Sequence, residues 1–568
     1  MWLAVLAAAA VVVAVRQGAH ATPDASWLLY SAGRILDGAR LGADLVDATP
    51  PTILGFKLVA VTAGRILGVA PWAAWVAWLG VLALGSAAAA LRIVRGADGW
   101  RSRGAQRRAL AAVAAVLLLL PRHDYGQREH LALILTLPYV ALLGVRAGGQ
   151  GATRALAIGA GIAAGIGMSL KPHFALLLIL AVGFLALRAR IGFRRAALLP
   201  EHGAAALTGL AAVAAVLLFA HGWVRFAGEY GGLYLRYIAE NPLLVALSGV
   251  GAAVGVFALL ALLALGPHAG ARRPSAEALL LAAGSFHLAA ALQGKGFQYH
   301  FLPTIGFGAL SIALLWSGLR RPLPRLAPPL YGAAAFAILA TLATYSVRDI
   351  AIHAAGGSPR RPDLDPAVDA LSRIVRAEGP SPTIMVFSTS IASGFPLTTE
   401  TGARWSSRHS GLWMLSALYS DQLFQGRMVV PRAPGQRPPL ERRLLDEMYQ
   451  DLRARPPALL FVITPDPSFN GWAGARQFDY LEYFASETGL AELLSRYSAS
   501  GEVGPYLVLR PAAAAASGPP SLPDVPATAQ GRNPERAVLR APPGVVLLLA
   551  LCFGVGVLLE LRARRSSG

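Results

Sequence analysis

One cysteine, Cys552, stands among 568 residues, so no intrachain disulfide can brace this fold. Lysine is almost as scarce: Lys57, Lys171 and Lys295 are the only three among 51 basic residues. Charged residues make up 14% of the chain against 55% hydrophobic, with a mean hydropathy of +0.51, which excludes an ordinary soluble domain. No Walker loop and no dinucleotide fingerprint occurs, so a nucleotide-driven reaction has no binding motif. No internal repeat is evident, and no Lys or Arg precedes the first apolar run, as a signal peptide would require.

Long apolar runs are what the chain does have. Runs of about 17–25 residues are long enough to cross a bilayer. They fall near 2–20, 72–94, 107–121, 130–146, 154–170, 173–188, 203–222, 243–265, 276–292, 301–317, 328–347 and 542–561. The gaps at 92–108, 146–154, 188–195, 266–275 and 318–328 and the tail after Leu561 hold twenty Arg and no Lys. The intervening gaps at 122–129, 171–172, 223–242 and 293–300 hold only Arg122, Arg128, Lys171, Arg225, Arg236 and Lys295. The positive-inside rule places the Arg-rich set in the cytoplasm and the other set outside. The net charge of +20, a nucleic-acid signal in a soluble protein, is here a topology signal. The first run is read as an uncleaved anchor; cleavage at Ala19-His20-Ala21 is the alternative.

The expected architecture is an α-helical polytopic membrane protein of about twelve spans. Residues 1–347 form the bundle, with an outer loop at 21–71 whose stretches 26–41 and 51–68 lie as amphipathic helices at the interface. Residues 348–510 read as a soluble α/β domain on the outer face, with strand-length runs at 383–388, 458–464 and 506–509 and helices near 366–377 and 438–454. Residues 511–540 are an Ala/Pro-rich linker, and 541–568 a last span with a basic cytoplasmic tail.

Side chains able to do chemistry collect in the outer gaps. Asp24 follows the first run, with Trp27 and Tyr30 as interfacial anchors, where a carboxylate can take a proton from a hydroxyl. The loop Arg122-His123-Asp124-Tyr125-Gly126-Gln127-Arg128-Glu129-His130 crowds ionisable groups between two spans, which is costly unless used. His123, Asp124, Glu129 and His130 are candidate ligands of a divalent ion, without a fixed ligand spacing to fix the metal. The three lysines all lie in outer gaps, and a compact ammonium suits a phosphate. Tyr299 and His300 add hydrogen-bonding groups beside Lys295.

These residues, in this order, resemble the GT-C superfamily of polytopic glycosyltransferases, in the branch of protein mannosyltransferases and lipid A aminoarabinose transferases. The likeness lies in Asp24 after the first span, and in Asp47-Ala48-Thr49-Pro50-Pro51 opening an interfacial helix. It continues in the polar loop His123 to His130, the Lys171-Pro172 turn and a soluble domain after the bundle. The resemblance implies a sugar taken from a polyprenyl-phosphate donor on the non-cytoplasmic face. Asp24 would be the base, Glu129 a second acid, and Lys171 and Lys295 donor-phosphate contacts. Arg128, His123, Asp124, Tyr299, His300, Asp47 and Lys57 would be candidate substrate contacts. The partners implied are a lipid-linked sugar, membrane lipid and a glycan, lipid or protein acceptor, with no nucleic acid. One departure stands out: Asp24 is followed by Ala25 where protein mannosyltransferases carry an Asp-Glu pair. Alternatives are a transporter or flippase of lipid-linked sugars, an O-antigen-type ligase or polymerase, and a non-catalytic envelope scaffold.

Reporter fusions test the orientation. Fusions after Arg95, Arg195 and Arg321 should report cytoplasm, and those after Arg128, Gly296 and Pro359 the outside; a cytoplasmic signal at Pro359 overturns the arrangement.

Overall fold

The computed structural model describes residues 21–237, 241–247, 249–317, 367–424, 429–463 and 478–515. The spans expected at 2–20, 328–347 and 542–561, the boundary at 347/348 and most of the linker lie outside the described residues.

The first element, α1 (Pro23–Leu36), starts where local chemistry dictates. The Thr22 hydroxyl caps the N–H of Ala25, Pro23 occupies the first turn, and Asp24 lies in that turn. A loop then leads to α2 (Thr52–Leu67), which ends on Gly68 in the left-handed conformation. Both helices match the amphipathic stretches expected there.

The bundle follows as α3 (Pro71–Val94), α4 (Arg103–Ala114), α5 (Arg128–Ala147), α6 (Arg154–Ser169), α7 (Leu176–Arg188), α8 (Pro200–Phe219), α9 (His221–Arg236), α10 (Gly249–Leu265), α11 (Arg273–Gln293) and α12 (Leu302–Ser317). Among the described residues, four helices are long and apolar enough to cross a membrane: Pro71–Val94, Arg128–Ala147, Pro200–Phe219 and Gly270–Gln293. Shorter apolar helices occupy Arg154–Ser169, Pro172–Arg188 and Gly249–Leu263. The chain is a membrane protein of helical bundle type. Helix α5 is almost wholly buried, whereas α8 exposes Leu207, Leu210, Val213, Leu217 and Phe219, a surface suited to lipid rather than water. Helix α6 meets α8 through small residues. A Cβ on Gly161 would stand 2.3 Å from the Glu201 carbonyl oxygen, so the backbones approach as only glycine allows. Helix α9, which falls in a gap of the sequence reading, is a separate amphipathic helix carrying Arg225 and Glu229.

The segment after the bundle carries a five-stranded sheet of order β2-β1-β3-β5-β4. Its strands are β1 (Thr383–Phe387), β2 (Arg404–Trp405), β3 (Leu459–Ile463), β4 (Tyr497–Val503) and β5 (Tyr506–Pro511). β1 is parallel to β2 and β3, while β5 runs antiparallel to both β3 and β4. β3 is buried along its whole length, as its continuous apolar run Leu459 to Ile463 demands. Helices α13 (Val368–Ala377) and α14 (Pro439–Ala454) complete this α/β layer.

The sheet segment is docked on the bundle at two places. Phe395 meets Trp27 and Tyr30 of α1 with ring centroids 5.2 and 5.6 Å away, and the Trp405 N–H donates to the Tyr30 hydroxyl at 3.0 Å. On the other side Trp413 packs edge-on against Tyr234 and Tyr237, at 5.8 and 5.4 Å. Arg443 of α14 bridges Glu229 of α9 and Glu447. Glu447 in turn meets the His409 imidazole at 2.8 Å.

Burial raises the Glu447 pKa, and its bonds to His409 and Arg443 more than reverse that, holding it at about 2. A folded-state value below the unfolded one stabilises above the ordinary glutamate range and is lost as pH falls toward about 2. The thermal stability of the wild type over Glu447→Gln should therefore shrink as pH falls through that window. A difference that stays constant from neutral pH to pH 3 contradicts the assignment.

Candidate functional site

The two loops flanking α1 and α2 bring their acids to the N-terminus of α5. Asp47 closes a tight turn, its Oδ1 accepting the Thr49 N–H at 2.6 Å, and Trp223 of α9 donates to its carbonyl at 3.0 Å. Arg128 opens α5. Its guanidinium donates to the Thr49 hydroxyl at 3.1 Å and faces the Asp24 carboxylate at 3.7 Å. The Arg128 side chain is buried, while Asp24 keeps 30% of its side-chain surface exposed. The Arg128 Nε has no hydrogen-bond partner among the described residues. The approach of the preceding loop depends on Gly126: with φ at +92°, a Cβ there would lie 2.4 Å from the Trp75 Nε1 of α3.

Lys57 is the second cation here. Its ammonium is fully buried, sits 3.6 Å from the centre of the Trp75 ring and has no hydrogen-bond partner among the described residues. Burial pushes its pKa well below the ordinary lysine value, and the nearby Asp24 charge opposes that while Arg128 adds to it. Lys57, Asp24 and Arg128 thus act on one another at one end of the bundle.

A second group lies beside the first. The Lys171 ammonium bonds the Glu129 carboxylate at 2.5 Å and the Gln293 side-chain oxygen at 2.9 Å. Burial pushes Lys171 down to about 8 against the pull of Glu129. His300 is buried with its Nε2 3.8 Å from Glu129, and Tyr299 stacks against the His300 ring edge at 4.4 Å. Lys171 lies 5.9 Å from the centre of the Tyr299 ring. Tyr299 lies within electrostatic reach of Asp24, Arg128 and Glu129, which joins the two groups.

Asp24, Asp47, Lys57, Arg128, Glu129, Lys171, Tyr299 and His300 therefore converge from positions scattered over nearly 280 residues. Lys295 borders this group, within electrostatic reach of His300. Its ammonium donates to the carbonyls of Tyr234 and Tyr237, and to that of Leu235 at 3.4 Å, so its donors close the C-terminus of α9. Those bonds hold the Lys295 ammonium among carbonyls, 4.9 Å from the centre of the Tyr234 ring. Two of the four candidate metal ligands are engaged inside the protein. His130 uses both ring nitrogens inside the protein, Nδ1 accepting from the Gly126 N–H at 3.2 Å and Nε2 meeting the Leu117 carbonyl at 2.8 Å. Glu129 turns instead to Lys171. His123 and Asp124 lie in the short turn Arg122–Asp124, with Asp124 half-buried. Among the described residues no three His, Cys, Asp or Glu side chains form a metal-binding group. Within α11, His287 meets the Ala246 carbonyl at 2.8 Å, a packing role rather than a relay.

Sequence reasoning missed Thr49 as a partner of Arg128 and Gln293 as a partner of Lys171. Gln293 was visible as the last residue before the Gly294-Lys295 turn, but nothing local aims a glutamine at a lysine 122 positions away.

No family model matches the chain, and no curated protein matches it in sequence. Among solved structures it is similar to ArnT from Cupriavidus metallidurans bound to undecaprenyl phosphate. That match has a TM-score of 0.53 at 15% identity, covering 91% of this chain and 99% of that one. A second match is the archaeal oligosaccharyltransferase AglB from Archaeoglobus fulgidus, in complex with an inhibitory peptide and a dolichol-phosphate. Its TM-score is 0.41 at 11% identity, over 87% of this chain and 72% of that one. The fold is the GT-C glycosyltransferase fold that the sequence resembles.

A buried ammonium with no hydrogen-bond partner opposes folding. Lys57→Met should therefore raise the thermal stability of the purified protein, by about 1–3 kcal/mol, while weakening anion binding at the site. A variant that melts lower than wild type contradicts the placement of that charge.

Proposed function

We propose that this protein is a membrane glycosyltransferase that moves a sugar from a polyprenyl-phosphate donor to an envelope acceptor, a glycan, lipid or protein. The observation that supports it most is one arrangement. A partly exposed carboxylate, Asp24, stands beside two buried cations, Arg128 and Lys57, each with an unpartnered nitrogen among the described residues. An anion fits between such cations, and a hydroxyl fits against such an acid.

In the reaction, Asp24 takes the proton of the acceptor hydroxyl. The acceptor oxygen forms its bond to the anomeric carbon of the sugar as the bond from that carbon to the phosphate oxygen breaks. The charge that develops on the departing lipid phosphate is held by Arg128 and Lys57. Thr49 keeps the Arg128 fork in plane, and Lys171 keeps Glu129 beside the site. The twelve-span topology, the outward-facing site at the inner membrane and the division into bundle and sheet-bearing domain belong to the same reading. The Arg distribution supports them.

Deleting the gene and comparing envelope glycans and accumulated lipid-linked sugars by mass spectrometry identifies donor and acceptor together. In that strain Asp24→Asn keeps the shape and removes the proton acceptor. General-base catalysis is worth about 10²–10⁴-fold, so restoration of the missing glycan should slow by that order. Binding of undecaprenyl phosphate, the lipid held by a protein of the same fold, should remain. Restoration at the wild-type rate removes Asp24 from the mechanism.

A further inference from the structure

A run of hydrogen bonds, carried through the Val46–Asp47 backbone and closed by the 3.7 Å ion pair of Arg128 with Asp24, joins the sheet segment to the candidate base. It begins at Asp451 on α14, a carboxylate with 3% of its surface exposed. Asp451 accepts the Arg408 N–H at 2.7 Å, the Arg408 guanidinium at 2.9–3.0 Å and the Ser407 hydroxyl at 3.3 Å. Main chain and side chain of Arg408 are thus held by one anion, which fixes the direction of its carbonyl. That carbonyl accepts the N–H of Val46 at 2.8 Å, and Val46 pairs with His409 as an isolated parallel bridge. Asp47 follows directly, and its turn presents Thr49 to Arg128, which faces Asp24. His409 is fixed independently. Its carbonyl accepts the Trp405 indole N–H at 2.7 Å, its own N–H donates to Ser407 at 3.1 Å, and its ring meets Glu447. From the other side, Trp405 reaches the Tyr30 hydroxyl, and the hydroxyls of Ser26 and Thr399 bond to each other, so α1 is tied to the same segment.

Beyond the bonds from Trp223 to the Asp47 carbonyl and from Arg128 to Thr49, the loop at 41–51 has few long-range bonds other than this one. Its internal bonds are short-range, such as the Gly42 N–H to the Leu45 carbonyl and Arg40 to Asp44. The bridge at Val46 supplies a strand partner from more than 360 residues away. A lone backbone bridge is weak unless its partner strand is rigid, and Asp451 supplies that rigidity through charge-assisted bonds.

We propose that Asp451, acting through Arg408 and the Val46 bridge, is a positioning residue for the Asp24–Arg128 pair. The sheet segment is then a working part of the reaction centre. This rests on the reading of Asp24 as the base. The chemistry needs the carboxylate, the guanidinium and the phosphate in one geometry, and a misplacement of about 1 Å can cost about 10²-fold.

The test uses the full-length chain in the deletion strain, reading how fast the missing envelope glycan returns. Asp451→Asn and Arg408→Ala should each slow it about 10- to 100-fold, with Arg408→Lys recovering part. Tyr419→Phe, which removes a buried hydrogen bond to Glu441 elsewhere in the sheet segment, should leave the rate near wild type. A covalent substitute for the bridge separates positioning from general instability. Adjacent strands lie about 5 Å apart, within the span of a disulfide. In a Cys552→Ser, Asp451→Asn background, Val46→Cys with His409→Cys should be slow when reduced and recover at least several-fold when oxidised. A wild-type rate in Asp451→Asn overturns the proposal. So does equal slowing in Tyr419→Phe, or a rate indifferent to oxidation. A wild-type rate in Asp24→Asn overturns the base reading and this proposal together, whereas failure of the Asp451 arm alone leaves the base in place.

Discussion

Everything at this site turns on Arg128. It is a buried guanidinium at the start of the most buried helix of the bundle, and it reaches a loop and a helix start at once: Thr49 at 3.1 Å and Asp24, in the first turn of α1, at 3.7 Å. Without it, the turn at Asp47 and the N-terminus of α1 would have no charged group in common. Helix α5 cannot shift to suit them, because it is packed on all sides and its preceding loop is locked by Gly126 against Trp75. The bundle therefore fixes where the arginine starts, and the loop it meets at Thr49 is tied in turn to the sheet segment through Val46.

That arrangement carries a thermodynamic cost, which makes a purely structural account unattractive. A buried ion pair is weak evidence for stability, since desolvation offsets much of the attraction. Lys57 lacks even a hydrogen-bonding partner among the described residues, and the face of an indole is modest compensation. A chain selected for stability alone would carry an apolar residue at position 57, against Trp75. Strained or unsatisfied groups gathered at one place fit a site whose missing partner is an anion brought by substrate. In the neighbouring group Lys171 is matched to Glu129 and Gln293, which ties α5 to α11.

Much of the helical fold was legible in the sequence because it depends on local order. Apolar length marked α3, α5, α6, α8 and α11, and amphipathic spacing marked α1 from residue 26, though not its Thr22 cap. Strand-length apolar runs found β1, β3 and β5, but β2 is only two residues long and β4 is a half-exposed strand with a bulge near Gly501, so neither stood out. Of the site, lysine scarcity drew attention to three positions without saying where each ammonium points. It favoured Lys171 and Lys295 as the phosphate contacts and left Lys57 among the general substrate contacts, although Lys295 closes a helix end and Lys57 has no hydrogen-bond partner among the described residues. The pairing of Val46 with His409 left no trace in sequence, because a single bridge has no periodicity and its partners are hundreds of residues apart.

The most direct measurement of the central claim is an experimental structure of the protein with undecaprenyl phosphate bound. The account predicts the phosphate between the Lys57 ammonium and the Arg128 guanidinium, within charge-assisted hydrogen-bond distance of about 2.7–2.9 Å of each, with Asp24 facing the adjoining opening. A phosphate held at Lys295, or anywhere that leaves both Lys57 and Arg128 without contact to it, would contradict the account.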